Sequence, residues 1–237
     1  MKTMSPAAIR TFREHYRAKN IGRLYSGYVH FGFTITLCLV GMGLCLTRLE
    51  SVTMWEWLTI PVTFLYANLA EYFGHKGPMH KPVKGLQIIF ERHAKQHHRF
   101  FTDQTMAFDN SRDFHAVLFP PVMLLFFIGV FALPVGMLLA WLMTPNVGYL
   151  FAFTGIAYFL NYEVFHFIFH VSDTSFIYRI PGMRRLRQLH QDHHRLDWMS
   201  QYNFNITYPI GDWLFGTLKK ESQVQPLHTQ QQEESPK

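Results

Sequence analysis

Ten histidines fall into four short groups in this sequence: His75 and His80; His93, His97 and His98; His166 and His170; His190, His193 and His194. Neutral imidazole is the commonest protein ligand for iron, zinc and copper, so groups at ligand spacing point to a multi-histidine metal centre. One His-x-x-x-His on an apolar helix is ordinarily a structural pair. Four groups imply instead that distant stretches of chain converge on shared ions. Residues three or four apart share a helix face, which pairs His166 with His170, His190 with His193 and His194, and His93 with His97. His98 lies about 100° around the helix from His97, placed to reach a second ion. Gly77 and Pro78 interrupt any helix between His75 and His80 and let both rings turn inward. His15, His30, His115 and His228 lie outside the groups and read as ordinary surface or interface residues.

The elements that must carry these residues are apolar. Of 237 residues, 49% are hydrophobic, 16% aromatic and only 16% charged, against about 25% charged in a soluble domain, so the expected solvent is a membrane. A helix needs roughly 20 apolar residues to cross a bilayer, and four blocks qualify, at about 28–47, 54–73, 116–143 and 147–169. Pro120, Pro121 and Pro134 predict a ragged start or a kink in the third.

Lys and Arg accumulate on the cytoplasmic side of spans. Lys2, Arg10, Arg13, Arg17, Lys19 and Arg23 precede the first block, and further basic residues follow the second and fourth, whereas the other connectors hold only Arg48. Both termini are therefore expected in the cytosol. Trp55, Trp57, Trp141 and Tyr149 sit at the opposite ends, where amphipathic rings prefer the headgroup level. The net charge of +6 and pI near 9.3 then describe a lipid-facing cytoplasmic surface, and no nucleic-acid partner is expected. Cys38 and Cys45 both lie inside the first block, which argues against disulfides, thiolate zinc sites and iron–sulfur clusters. The first block reads as an uncleaved span.

The expected fold is all-α: an integral membrane protein of four transmembrane helices with a cytoplasmic helical cap holding a histidine-rich dimetal site. Residues 1–220 form one membrane domain and 221–237 a polar, disordered tail. The second span ends at His75 and the fourth carries His166 and His170 in its last turns, so the four histidine groups can meet in one layer at the cytoplasmic membrane surface. A bacterial cytoplasmic membrane is the favoured location, with the endoplasmic reticulum as the alternative.

Several motifs together resemble the fatty acid hydroxylase and sterol desaturase superfamily of membrane non-haem di-iron oxygenases. They are Glu71-Tyr72-Phe73-Gly74-His75 running on to His80, the HxxxHH of His93 to His98, the HxxHH of His190 to His194, Asn203-Phe204-Asn205, and Gly211-Asp212-Trp213-Leu214-Phe215-Gly216-Thr217. The resemblance implies two iron ions held by the ten clustered histidines and O₂ activated against an unreactive C–H bond of a membrane lipid. Zinc lacks the redox chemistry for that task but competes for imidazole sites, so it is a plausible substitute in a purified sample.

Ligating histidines usually donate their outer N–H to an acceptor. Glu163, in the single Glu163-Val164-Phe165-His166 match to the Glu-x-x-His spacing of soluble di-iron proteins, is a candidate acceptor, as are Asp192, Asp197, Asn203 and Asp212. Asp197 fits pairing with Arg or Lys equally well. Phe100, Phe101, Phe108, Phe114, Phe176 and Tyr202 either line a lipid route or anchor the interface. No haem or flavin fingerprint is present, so electrons must come from a separate donor, a cytochrome b5-like protein or a ferredoxin with its reductase. A fatty-acyl hydroxylase is the leading expectation, with a sterol or lipid desaturase or a carotenoid hydroxylase as alternatives. A metal-handling membrane protein is the rival class. Carriers place ligands at the bilayer midplane, whereas these clusters sit at span ends, which favours the enzyme.

Overall fold

The computed structural model describes residues 4–219. Its regular structure is helical, and among the described residues no strand forms beyond an isolated bridge between Thr102 and Thr105. In chain order the helices are α1 (Pro6–Asn20), α2 (Gly27–Leu46), α3 (Thr59–Gly74), α4 (the continuous run Gln87–Phe90, Glu91–His97 and His98–Phe100), α5 (Pro121–Leu142), α6 (Pro145–Phe169), α7 (Met183–His193) and α8 (Ile210–Leu214). The polar tail, Lys2 and His228 lie outside the described residues.

Helix α6 is the axis of the molecule, and its start is written in Thr144-Pro145. The Thr144 hydroxyl accepts from the Val147 amide at 3.3 Å, while Pro145 sits in the first turn, where no amide proton is needed. The helix then runs 25 residues, packed on by α2, α3 and α5, and buries side chains along its whole length. Small residues permit the closest of these approaches: a Cβ at Gly136 of α5 would meet the Gly148 carbonyl of α6 at 3.1 Å.

Helices α2 and α5 are long and apolar enough to cross a membrane, with mean hydropathies of 1.9 and 2.6. Their outward faces expose Leu39, Val40 and Leu44, and Leu125, Val130 and Met137. Apolar surface of this extent marks contact with something other than water. Helices α3 and α6 each carry polar residues, Asn68 and Glu71 on one and Glu163 and His166 on the other, all buried or nearly so within the protein. The third apolar block breaks where its prolines require it. A short helix, Phe114–Val117, ends in extended backbone at Leu118 and Pro120, and α5 begins at Pro121.

The remaining helices gather about the ends of α3 and α6. Helix α1 starts at a Ser5 cap whose hydroxyl accepts from Ala8 N at 3.3 Å. Its basic residues do not serve a lipid surface alone. Arg13 is buried, donating to the carbonyls of Phe100 (2.8 Å), Thr105 (2.7 Å) and Ala107 (3.2 Å) and to Asp109 (3.0 Å). Arg17 donates to both oxygens of Asp113, at 2.7 and 2.8 Å. Together they fasten the loop that follows α4. Replacing Arg13 with Met strands three carbonyls, each costing about 1–3 kcal/mol when buried unpaired, so the detergent-solubilised variant is expected to melt at least about 6 °C lower. An unchanged Tm would show that this loop is held by other contacts.

Candidate metal centre

The histidines of α4 lie on a π-helical turn, Glu91–His97. Such a turn closes i→i+5 hydrogen bonds and brings residues five apart into line, where an α-helix would align residues four apart. His93 and His98 therefore point together, with their Nε2 atoms 3.1 Å apart, and His97 turns to the other side. Spacing alone predicts His93 beside His97, and their rings do stack, centroids 5.2 Å apart, but the wider turn brings the His93 Nε2 to that of His98. On α7 an ordinary turn aligns His190 with His194, Nε2 to Nε2 at 3.1 Å, and leaves His193 facing the opposite way. The turn after α3, with Gly77 at φ −90°, ψ −106°, brings His75 and His80 together, ring centroids 5.0 Å apart.

Two buried groups result. His75, His80, His93, His98 and His193 bring one nitrogen each within 4.8 Å of one another, and His97, His170, His190 and His194 do the same. The groups adjoin through the stacked rings of His98 and His194, centroids 4.3 Å apart. His166 stands at the rim of the second group, its Nε2 3.1 Å from that of His97. Both α4 and α7 thus feed both groups.

Protonation within the groups shows what they can hold. His97 Nδ1 lies 2.8 Å from the Ala116 carbonyl and His194 Nδ1 2.7 Å from that of Phe101. A carbonyl only accepts, so each Nδ1 carries the ring proton and each Nε2 presents a bare lone pair. Those two Nε2 atoms face each other at 3.2 Å. Lone pairs so placed repel unless they share a cation, and with metal–nitrogen bonds of about 2.1 Å two ligands on one ion stand at about this separation. His75, His170 and His193 are committed likewise, to the carbonyls of Phe204, Met106 (2.8 Å) and Tyr202 (2.8 Å). The donor set fits a metal pair. Burial, reinforced by neighbouring rings, holds His75, His93, His98, His190 and His194 well below the usual imidazole range, and burial puts His97 and His193 at about 4. All are neutral near pH 7, the form that binds metal.

The outer N–H groups of these five rings therefore go to backbone carbonyls, while the Nδ1 atoms of His80, His98 and His190 are buried without a partner among the described residues. Glu163 accepts from the Phe119 amide at 3.2 Å, and Asp197 pairs with Arg195 at 3.4 Å on the surface. Asp192 is buried and accepts from Gln188 at 2.9 Å. Asn203 exchanges two 2.8 Å hydrogen bonds with the Lys219 backbone. Asp212 acts one bond further out. Its carboxylate accepts from the amides of Phe204 (2.9 Å) and Asn205 (2.7 Å), aiming the Phe204 carbonyl at His75.

Glu71 completes this strap and was not singled out by spacing. It accepts from the next two amides, Ile206 (2.5 Å) and Thr207 (3.0 Å), and from the hydroxyls of Thr207 (2.6 Å) and Tyr158 (2.5 Å). Two buried carboxylates thus hold four successive amides, and a Cβ at Gly211 would strike Asn205 Oδ1 at 2.7 Å where the strap crosses α3. The available signal was an ionisable residue inside an apolar block, which marks a functional position by default.

Phe100, Phe101 and Phe114 are buried in the packing around the centre, Phe101 lying 4.2 Å from the His170 ring; only Phe176 among the aromatic candidates is widely exposed, at 77%. An elongated cavity of about 440 Å³ between α3, α5 and α6 reaches His75 at one end and Phe131, Val135 and Phe151 at the other. A second of about 100 Å³ touches His93, His97 and His166. Ile89, Phe119, Met123 and Tyr162 border both.

The family described as fatty acid hydroxylase matches residues 60–217, and this chain belongs to it. Among solved structures, full-length scs7p, of which only the hydroxylase domain is visible, is similar with a TM-score of 0.57 and 20% identity over 82% of this chain and 67% of that one, a likeness of fold. Comparison with curated proteins found no match.

Two outcomes follow from the site. Unfolded histidines titrate near pH 6.5 and these folded ones lower, so below about 6.5 the unfolded chain binds more protons and stability falls with pH toward about 4. The metal-depleted protein should therefore lose Tm steadily between pH 7 and 4.5, and a flat profile would mean that the rings are solvated. Asp212→Ala should weaken metal binding about tenfold by releasing the Phe204 carbonyl, measured by competition with a chelator.

Proposed function

We propose that the protein is an O₂-dependent di-iron hydroxylase acting on a C–H bond of a fatty-acyl or related membrane lipid. The observation that carries this reading is the convergence of the two buried histidine groups beside the inner end of an apolar cavity, in a chain of the fatty acid hydroxylase family. All ten clustered histidines are its iron ligands, with His166 joining the second group. Two bound irons supply redox chemistry that zinc lacks. Family membership favours an enzyme over a metal carrier.

The protein's own part is positional. Backbone carbonyls fix the ring tautomers, burial keeps the rings neutral, and the cavity receives a hydrocarbon chain away from water. Overall, one lipid C–H, one O₂, two electrons and two protons become an alcohol and a water. The electrons come from a separate donor, a cytochrome b5-like protein or a ferredoxin with its reductase. In this reading α2, α3, α5 and α6 cross the bilayer, the termini and the metal layer lie on the cytoplasmic side, and the lipid enters from the membrane.

Anaerobic iron loading should give two irons per chain, and membranes containing the protein should accumulate a lipid that has gained one oxygen. His97→Ala and His193→Ala, one from each group, should each lower iron content and abolish product while the protein stays in the membrane fraction. Full product from either variant would refute the ligand assignment, and a lipid lacking two hydrogens would identify a desaturase.

A further inference from the structure

Helix α6 carries two buried glycines, and they are there for different reasons. Gly148 is needed for packing, because a Cβ on it would strike the Gly136 carbonyl of α5. A Cβ on Gly155 would meet nothing nearer than the edge of the Phe127 ring at 3.9 Å, an ordinary contact. Glycine inside a helix is less stable than alanine, so a close approach of neighbouring atoms is the usual reason to keep one. At Gly155 that reason is missing. The space beside it belongs to the long cavity, which Gly155 and Phe127 both line.

The helix itself measures how deep this opening lies. Along one face α6 walls the cavity with Tyr162, Phe159, Tyr158, Gly155 and Phe151, a run of about 16 Å at 1.5 Å per residue. The histidine end is the Tyr162 end, since His166 follows one turn later on the same helix. Gly155 lies seven residues back from Tyr162, about 10 Å further from the histidines. With C–C bonds of about 1.5 Å an extended hydrocarbon advances about 1.3 Å per carbon. About eight carbons therefore fit between the level of Tyr162 and Gly155, and a longer chain must pass the glycine.

From this arrangement we propose that Gly155 is a chain-length-determining residue. Its missing side chain keeps the far part of the cavity, toward Phe131, Val135 and Phe151, open to a hydrocarbon tail whose reacting end lies by the histidines. A larger residue there would stop the tail at about eight carbons. The inference rests on the lipid-oxygenase reading and narrows its substrate to lipids with an unbranched chain longer than that.

The test uses the iron-loaded protein under anaerobic conditions, in a detergent that carries a steroid in place of an alkyl tail, so that no detergent chain competes for the cavity. The probes are 1-octanol and 1-hexadecanol, and binding is read as the alcohol concentration giving half the maximal rise in Tm. Gly155→Leu should need at least about tenfold more hexadecanol than wild type, as overfilling a packed space dictates, with its octanol midpoint unchanged. Gly155→Ala should shift the hexadecanol midpoint in the same sense but less. Without alcohol its Tm should rise by about 2–4 °C, because alanine favours the helix and finds room. Should Gly155→Leu fail to fold, these two readings of Gly155→Ala carry the test. A lowered Tm in Gly155→Ala would make the glycine a packing residue and overturn the proposal. Equal effects on both alcohols, undiminished hexadecanol binding in the variants, or no Tm rise of wild type with either alcohol would overturn it as well. If the length effect held while membranes containing the protein accumulated no oxidised lipid, the chain-length role would stand and the oxygenase reading would fall.

Discussion

Bare imidazole lone pairs aimed at one another in a buried space are the constraint around which this molecule is arranged. Left alone the arrangement is unfavourable: the rings are desolvated, neutral and mutually repulsive, and no rearrangement of protons turns the facing Nε2 atoms of His97 and His194 into a donor and an acceptor while Ala116 and Phe101 hold their other nitrogens. The surrounding structure must therefore hold the rings against relaxation. Arg13 does so by fastening the Phe100 carbonyl and the loop after α4, and Glu71 and Asp212 do so by gripping the four amides that follow Asn203. These contacts join chain segments far apart in sequence, so the centre and the fold around it depend on each other.

Much of this was legible in the residues, and the failures share a physical cause. Histidine type and grouping identify the centre because few other roles require so many imidazoles. The prolines at 120 and 121 locate the break before α5, since the residue before proline avoids helical backbone. The partition into two groups was not legible. It depends on a π turn at Glu91–His97, a widening of one residue that local composition does not announce. The acceptors of five outer N–H groups were not legible for a related reason. Carboxylates are visible in a sequence and carbonyls are not, and the carbonyls of Ala116, Phe101, Met106, Phe204 and Tyr202 took the role offered to Glu163, Asp197 and Asn203. Arg13 and Arg17 were counted as surface charge because charge patterning cannot distinguish a lipid headgroup from a buried carbonyl.

Helices α2, α3, α5 and α6 divide the work unequally, and the division explains where the cavity lies. Helices α3 and α6 carry the polar residues that anchor the strap and present histidines at their ends, so their facing surfaces are committed to Asn68, Glu71, Tyr158 and Glu163. Helix α5 has no such commitment. Its inner face is free to be smooth and apolar, and with Phe127, Phe131 and Val135 it closes the third wall. The cavity these helices bound carries Thr63, Tyr66, Glu71, Tyr158 and Tyr162 on its α3 and α6 walls and apolar side chains alone on its α5 wall. That asymmetry would turn the polar side of any amphipathic chain admitted to it toward α3 and α6 before a metal makes contact, so under the proposed function selection of the carbon to be oxidised can reside in the helices as much as in the centre itself.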